Sequence, residues 1–282
     1  MKILRTIADM RAAVGPLRIA GKSIGLVPTM GYFHEGHRSL MMRSKSTCDI
    51  TVVTLFVNPT QFNDPKDLEA YPRDEKNDAA IADGAGVDFM FAPEAREIYP
   101  EGYATTVAVR GITEPLEGAL RGTGHFDGVT TVVSKLFNIV QPDIAFFGQK
   151  DAQQALVVRK MVRDLDMPVR IEVCPTVREA DGLAMSSRNV RIKPGDRPRA
   201  LALRAGLDAA RKAILGGERR TASVEKAGRD AMESLGVKPE YFAAVPAGTL
   251  LSMDPLAGEV LLAVAARVGD VRLIDNDIVR IG

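Results

Sequence analysis

The chain has 282 residues, 46% of them hydrophobic and 26% charged, which is enough for two modest domains and ordinary for a globular protein. Its 37 Lys and Arg nearly cancel its 36 Asp and Glu, so composition excludes a binder driven by a strong net field, nucleic acid and anionic membrane included, and any anion must be held by local groups. Two cysteines, Cys48 and Cys174, cannot make a disulfide framework and are expected to be reduced, inert thiols.

The N-terminal stretch "MKILRTIADMRAAVG" interleaves charged with apolar residues and lacks the unbroken hydrophobic centre of a signal peptide. The longest clearly apolar run, "VLLAVAA" at 260–266, is far short of the roughly 20 residues a spanning helix needs, so a soluble, cytoplasmic protein is expected. Continuous apolar runs at 24–28, 50–57, 87–92, 143–148 and 169–176 predict strands covered on both faces. Between them lie the helix-period stretches "HRSLMMRSKS", "PRDEKNDAAIADGA", "GVTTVVSKLFNIV" and "AQQALVVRKMVRDL". This alternation predicts an α/β protein with a Rossmann-like, doubly wound parallel sheet over residues 1–180. Helices at 197–215 and 222–235, with strands at "YFAAV", "VLLAVAARV" and "VRLID", predict a second, smaller α+β domain over 181–282. Pro194, Gly195 and Pro198 punctuate the change of texture and read as a linker or hinge, with lid-like motion of the C-terminal domain as the corollary.

In an open parallel sheet the loops leaving the C-terminal strand ends share one edge, where ligands bind. Three such loops carry small and polar residues: "PTMGYFHEGH", "GQKDAQQ" and "READGLAMSSRN". His34 and His37, three apart in a first helical turn, project from roughly one face. A helix start suits phosphate, and Gly31 and Gly36 permit close backbone approach. Imidazole N–H groups there can donate to phosphate oxygens. A metal site and simple capping with packing stand as alternatives, although only three histidines occur in the chain, the third being His125. Lys150 at a helix start opposes the dipole and makes sense with an anion between them; a solvated lysine is the alternative. Ser186, Ser187 and Arg188 in "MSSRN" offer hydroxyls and a guanidinium for phosphate, though such residues are also ordinary in loops. No Walker sequence and no GxGxxG occurs, which argues against a P-loop kinase or an NAD enzyme.

"PTMGYFHEGHRSL" resembles the histidine signature of the nucleotidyltransferase superfamily, related to class I aminoacyl-tRNA synthetases, and "MSSRN" resembles its mobile phosphate-binding signature. "FVNPTQF", "YPRD", "GHFDGVTTVVSKLFNIVQPDIAFFGQKDAQQ", "VREADGLAMSSRN" and "VRLIDN" resemble the pantothenate synthetase (pantoate–β-alanine ligase) family along nearly the whole chain. The resemblance implies an ATP- and Mg²⁺-dependent ligase: pantoate carboxylate attacks the α-phosphorus of ATP, giving pantoyl adenylate and pyrophosphate, and β-alanine then displaces AMP. It assigns His34 and His37 to the triphosphate and transition state, with His37 the family's proton donor, and Lys150, Ser186, Ser187 and Arg188 to phosphate oxygens. It lines the nucleotide with Met30, Gly31, Tyr32, Phe33, His34, Glu35, Gly36 and His37, together with Gly148, Gln149, Asp151, Val177 and Met185. Gln61 and Gln154 would hydrogen-bond pantoate, Gln61 lying also where the family places β-alanine. Neutral amides suit that task because they leave the carboxylate nucleophilic. Asp78 and Asp151 are candidates for Mg²⁺ by carboxylate type alone, and a homodimer is implied. Tyr32, Phe33, Arg38, Gln149, Ala152 and "RGTGHF" depart from the usual family pattern. Two other readings stand beside the ligase: a sibling nucleotidyltransferase with a different acceptor, and a nucleotide-binding regulatory module without catalysis.

Overall fold

The computed structural model describes residues 1–282, the side chain of Thr123 excepted. The chain divides into two compact units, Met1–Gln149 with Gln153–Pro175, and Lys150–Ala152 with Thr176–Gly282.

The first unit is built on six parallel strands: β1 (Lys2–Leu4), β2 (Ile24–Val27), β3 (Ile50–Thr54), β4 (Phe89–Phe91), β5 (Ile144–Gly148) and β6 (Arg170–Cys174). Their order is β1-β4-β3-β2-β5-β6. From β2 the chain runs outward through β3 to β4, then returns to lay β5 on the other side of β2. The switch point therefore falls between β2 and β5, where Gly25 pairs with Ile144 and Leu26 with Ala145, and open sheets of this kind bind ligands outside the carboxyl ends at that crevice. Burial on both faces explains the unbroken apolar runs. Leu26, Val52 and Phe147 enter one apolar cluster with the helices Ile7–Ile19, Thr123–Val140 and Ala152–Asp164. Their neighbours Val27, Val53 and Phe146 point the other way, into a cluster with Leu40 and Met41 of the helix Glu35–Thr47 and Ala82 of the helix Glu75–Gly84.

The doubly wound sheet thus has the expected architecture, with one strand more than the apolar runs predict. β1 is three residues long and only Leu4 is buried, so it leaves no run to detect. The helix expected from Gly128 starts at Thr123. Gly128 lies where that helix crosses the 3-10 turn Pro59–Gln61: a Cβ there would stand 2.6 Å from the Thr60 carbonyl oxygen and 2.8 Å from the Gln61 nitrogen. Backbone cannot swing aside as a side chain can. Gly128→Ala is therefore expected to cost about 1–3 kcal/mol, the usual cost of overpacking, read as a lowered thermal midpoint.

The second unit pairs β7 (Pro239–Pro246), β8 (Glu259–Val268) and β9 (Val271–Arg280) in an antiparallel sheet of order β7-β8-β9. Helices Ala202–Leu215 and Thr221–Glu233 bury Leu203, Leu207, Val224 and Met232 in one cluster with Phe242, Leu262 and Val264. The long helix expected at 197–215 is interrupted at Leu201, where ψ relaxes to −10°. Pro198 survives because it occupies the first turn of the short helix Arg197–Ala200, the one place where its missing N–H costs nothing. Pro194, Gly195 and Pro198 all lie inside this unit. Among the described residues no helix is long and apolar enough to cross a membrane. Cys48 and Cys174 are free and buried, and burial pushes both thiols up from their ordinary range, which suppresses the reactive thiolate.

Candidate active site

The histidine turn starts where β2 ends. Gly31 has φ +88° and Tyr32 φ +54°, the left-handed region that side-chain-bearing residues seldom enter. Asp78, from the helix Glu75–Gly84, holds this bend in place. Its Oδ2 accepts from the Tyr32 N–H at 2.8 Å and its Oδ1 from the Phe33 N–H at 2.6 Å. The carboxylate is 1% exposed. Burial pushes its pKa up from the usual carboxylate range, and the two amides pull against that rise. Phe33 then drives its ring into the apolar cluster beside Leu40, Met41 and Val53, so its side chain anchors the turn.

The helix Glu35–Thr47 begins with His34 as N-cap, and both histidines serve its start. His34 Nδ1 accepts from the Gly36 N–H at 3.1 Å, and His37 Nδ1 accepts from the His34 N–H at 3.3 Å. This reciprocal arrangement is a capping box with imidazoles in place of the usual side chains. An Nδ1 that accepts carries no proton, so each neutral ring bears its hydrogen on Nε2. The rings lie 4.1 Å apart between centroids, with Phe33 5.4 Å from His37. Capping and anion binding are therefore compatible: the cap fixes the tautomer that presents Nε2–H as a donor. Glu35, exposed, pairs with Arg38 at 3.1 Å, which accounts for the unusual Arg38 as a helix-surface partner.

Gln61 is oriented by a second network. Asn58, 1% exposed, donates from Nδ2 to Gln61 Oε1 at 3.1 Å and to the Gly128 carbonyl at 3.0 Å. Its Oδ1 accepts from Tyr99 Oη at 2.8 Å and Thr60 Oγ1 at 3.0 Å. With its oxygen so engaged, Gln61 turns its NH₂ toward Met30 Sδ, 3.2 Å away. His125 Nδ1 meets the Gln61 carbonyl at 2.7 Å, tying the long helix Thr123–Val140 to the same turn. Asn58 is not singled out by its sequence context, although it stands three residues before Gln61 in "FVNPTQF", just ahead of the turn Pro59–Gln61. Gly148 closes β5, Gln149 follows it, and Gln154 is half-buried on the helix Ala152–Asp164.

The second unit holds the remaining candidates. Lys150, half-buried, has its Nζ 3.6 Å from Asp151 Oδ1. Met185 N–H donates to the Val177 carbonyl at 3.0 Å, and Ser186 caps the short turn Ser187–Arg191 by accepting from the Arg188 N–H at 3.2 Å. Asn189 closes the loop, donating to Glu179 at 2.6 Å and to the Ala184 carbonyl at 3.0 Å. Arg197 grips Glu179 at 2.6 Å and Asp181 at 2.7 Å. "MSSRN" is thus presented from a cross-braced loop. Met30, Gly31, Tyr32, Phe33, His34, His37 and Gln61 belong to the first unit, and Lys150, Asp151, Val177, Met185, Ser186, Ser187 and Arg188 to the second.

Comparison with known proteins bears on the family of the chain. A family model described as pantoate-beta-alanine ligase matches residues 2–278. The pantothenate synthetase of Moorella thermoacetica is 52% identical over 282 residues, covering 100% of this chain and 99% of that one. That of Cereibacter sphaeroides is 52% identical over 275 residues, 97% of this chain and 98% of the other. The crystal structure of pantothenate synthetase from Thermus thermophilus superposes with TM-score 0.93 at 45% identity, over 98% of this chain and 99% of that one. A pantoate-beta-alanine ligase from Francisella tularensis, crystallised with β-γ ATP and β-alanine, gives TM-score 0.80 at 35% identity over 99% and 97%. Matched along nearly its whole length by the family model, by these relatives and by their fold, the chain belongs to the pantoate–β-alanine ligase family.

Proposed function

We propose that this chain condenses pantoate with β-alanine at the expense of ATP, through pantoyl adenylate, with release of pyrophosphate and AMP. In the first step a carboxylate oxygen of pantoate bonds to the α-phosphorus and pyrophosphate departs. In the second, the amine of β-alanine attacks the acyl carbon and AMP leaves with that bridging oxygen. No covalent enzyme intermediate is needed. The protein's task is to place a carboxylate against a polyanion and to neutralise charge that grows on phosphate oxygens.

The observation that carries this reading is the pair of capped imidazoles, whose engaged Nδ1 atoms leave Nε2–H as the donor on each ring. We assign His34 and His37 to the α-phosphate and the departing pyrophosphate, and Lys150, Ser186, Ser187 and Arg188 to the remaining phosphate oxygens. The Met30–His37 turn, Gly148, Gln149, Asp151, Val177 and Met185 line the nucleotide. Gln61, held by Asn58, and Gln154 receive pantoate. On this account residues 1–180 bind nucleotide and pantoate, and Ser186, Ser187 and Arg188 of the C-terminal domain bind phosphate oxygens.

Mg²⁺ accompanies the ATP in this proposal. Such an ion is held chiefly by substrate phosphates and water, with one or two carboxylates. Asp151, an exposed carboxylate, is the candidate protein ligand; both Asp78 oxygens are engaged by backbone amides. When bound, the ion would neutralise phosphate charge. A homodimer is proposed from the family resemblance, and sedimentation at several concentrations checks it.

The test is exchange of labelled pyrophosphate into ATP. Exchange is expected to require pantoate but not β-alanine, whereas net turnover requires both and releases AMP. Exchange with another carboxylic acid and not with pantoate would favour a sibling nucleotidyltransferase. Release of ADP would overturn adenylate chemistry.

A further inference from the structure

Lys150 follows β5 and precedes the helix Ala152–Asp164, yet the three residues Lys150–Ala152 associate with the second unit. A contact from β9 accounts for this. Asn276, 5% exposed, donates from Nδ2 to the Lys150 carbonyl oxygen at 2.8 Å. The adjacent residue fixes Asn276 in turn: Asp275 Oδ1 accepts the Asn276 N–H at 2.8 Å.

Asp275 also grips Arg178. The guanidinium reaches Asp275 Oδ2 at 2.6 Å and Oδ1 at 3.0 Å, and it donates to the carbonyls of Gly182 at 3.1 Å and Asn276 at 3.4 Å. Such a planar, two-point pair restrains direction as well as distance. Arg178 opens the braced loop that ends in Ser186, Ser187 and Arg188. Two consecutive residues of one strand therefore hold the backbone beneath Lys150 and the base of the "MSSRN" loop. Consecutive strand residues face opposite sides of a sheet, which is what lets Asp275 and Asn276 serve two different segments.

We infer that Asn276 is a positioning residue for Lys150, and that the Asp275–Asn276 step of β9 sets the Lys150 ammonium and the Ser186–Arg188 loop in a fixed mutual arrangement. The inference rests on the reading of Lys150 as a phosphate-holding group. Its physical basis is leverage: a lysine on a flexible four-carbon stem is only as well placed as its backbone, and displacement of a charge-stabilising group by about 1 Å can cost on the order of 10²-fold in rate. The Asn276 amide meets the Lys150 backbone rather than its ammonium, so its effect on that charge passes through the Lys150 main chain.

The experiment uses the full chain and pantoate-dependent pyrophosphate exchange, with Asn276→Ala, the isosteric Asn276→Asp, which keeps the volume but loses the donor, and Lys150→Ala. Both Asn276 variants are expected to lower kcat for exchange by roughly 10-fold, with the KM for pantoate unchanged. In the Lys150→Ala background neither is expected to reduce the rate further, since the group being positioned is gone. Should Asn276→Ala fail to fold, as judged by circular dichroism, Asn276→Asp and Asn276→Ser carry the test. Wild-type exchange in the Asn276 variants alongside a damaged Lys150→Ala would overturn the inference and leave the role of Lys150 standing. Losses that multiply in the double variant would also overturn it, by showing that Asn276 acts elsewhere. Wild-type exchange in Lys150→Ala would sink the parent reading, and the inference with it.

Discussion

Alanine at position 37 is expected to lower pantoate-dependent adenylation by roughly 10²-fold or more, the usual loss when one preorganised donor is removed from developing charge. His37 also accepts the His34 N–H at the start of its helix, so Ala alone confounds chemistry with capping, a contribution of about 1 kcal/mol. Glutamine separates the two. Gln is a standard residue at this position of a capping box and can accept the same amide through its side-chain oxygen, but it does not present an imidazole Nε2–H. His37→Gln is therefore expected to keep the thermal midpoint within about two degrees of wild type while losing nearly as much activity as His37→Ala. Activity restored by Gln would mean that the imidazole's contribution is structural. The measurement pairs exchange kinetics with thermal unfolding on the same preparations.

Asp78→Ala is expected to show the other large effect, through backbone rather than through a reacting group. It strands the N–H groups of Tyr32 and Phe33 in a site where the carboxylate was 1% exposed, and each buried donor without an acceptor costs roughly 1–3 kcal/mol. The bend they maintain includes Tyr32 at φ +54°, a conformation that persists only while its surroundings impose it. Loss of the acceptors should let the turn relax and carry His34 and His37 off their line, for a fall of about 10²-fold in adenylation with a clearly lowered thermal midpoint. Asp78→Asn distinguishes the contributions. Because burial raises the Asp78 pKa, the ionised form is disfavoured in the fold relative to the unfolded chain, and a neutral amide removes that penalty. Asn keeps one acceptor and sets an NH₂ against the other amide. Stability should therefore fall less than in Asp78→Ala, while activity remains strongly reduced. Wild-type activity in Asp78→Asn would show that the bend does not depend on both hydrogen bonds.

The parallel sheet was legible because β2, β3 and β5 are buried on both faces, so neither face needed polar residues and the apolar runs came out unbroken. β1 escaped because three residues with one buried side chain carry no periodicity. The histidine turn was legible from two scarce residues beside glycines, but its support was not. Asp78 lies 41 residues beyond His37 along the chain, and nothing in "KNDAAIAD" distinguishes a carboxylate that braces a distant backbone from one on a solvated helix face. Asn58 and Asn276 are similar cases: each acts through an amide hydrogen bond to a partner set by tertiary packing. The attachment of Lys150–Ala152 to the second unit is likewise invisible locally, because the residues that hold it come more than a hundred positions later. Residues that would meet the substrate carry recognisable chemistry in sequence, whereas the residues that aim them are defined by geometry.

The most direct measurement follows one oxygen. Pantoate labelled with ¹⁸O in its carboxylate, turned over with ATP and β-alanine, is expected to deliver a single ¹⁸O into AMP, because the oxygen that attacks the α-phosphorus departs with it when the amide forms. Label confined to pantothenate, or found in pyrophosphate or inorganic phosphate, would contradict an acyl adenylate formed at this site.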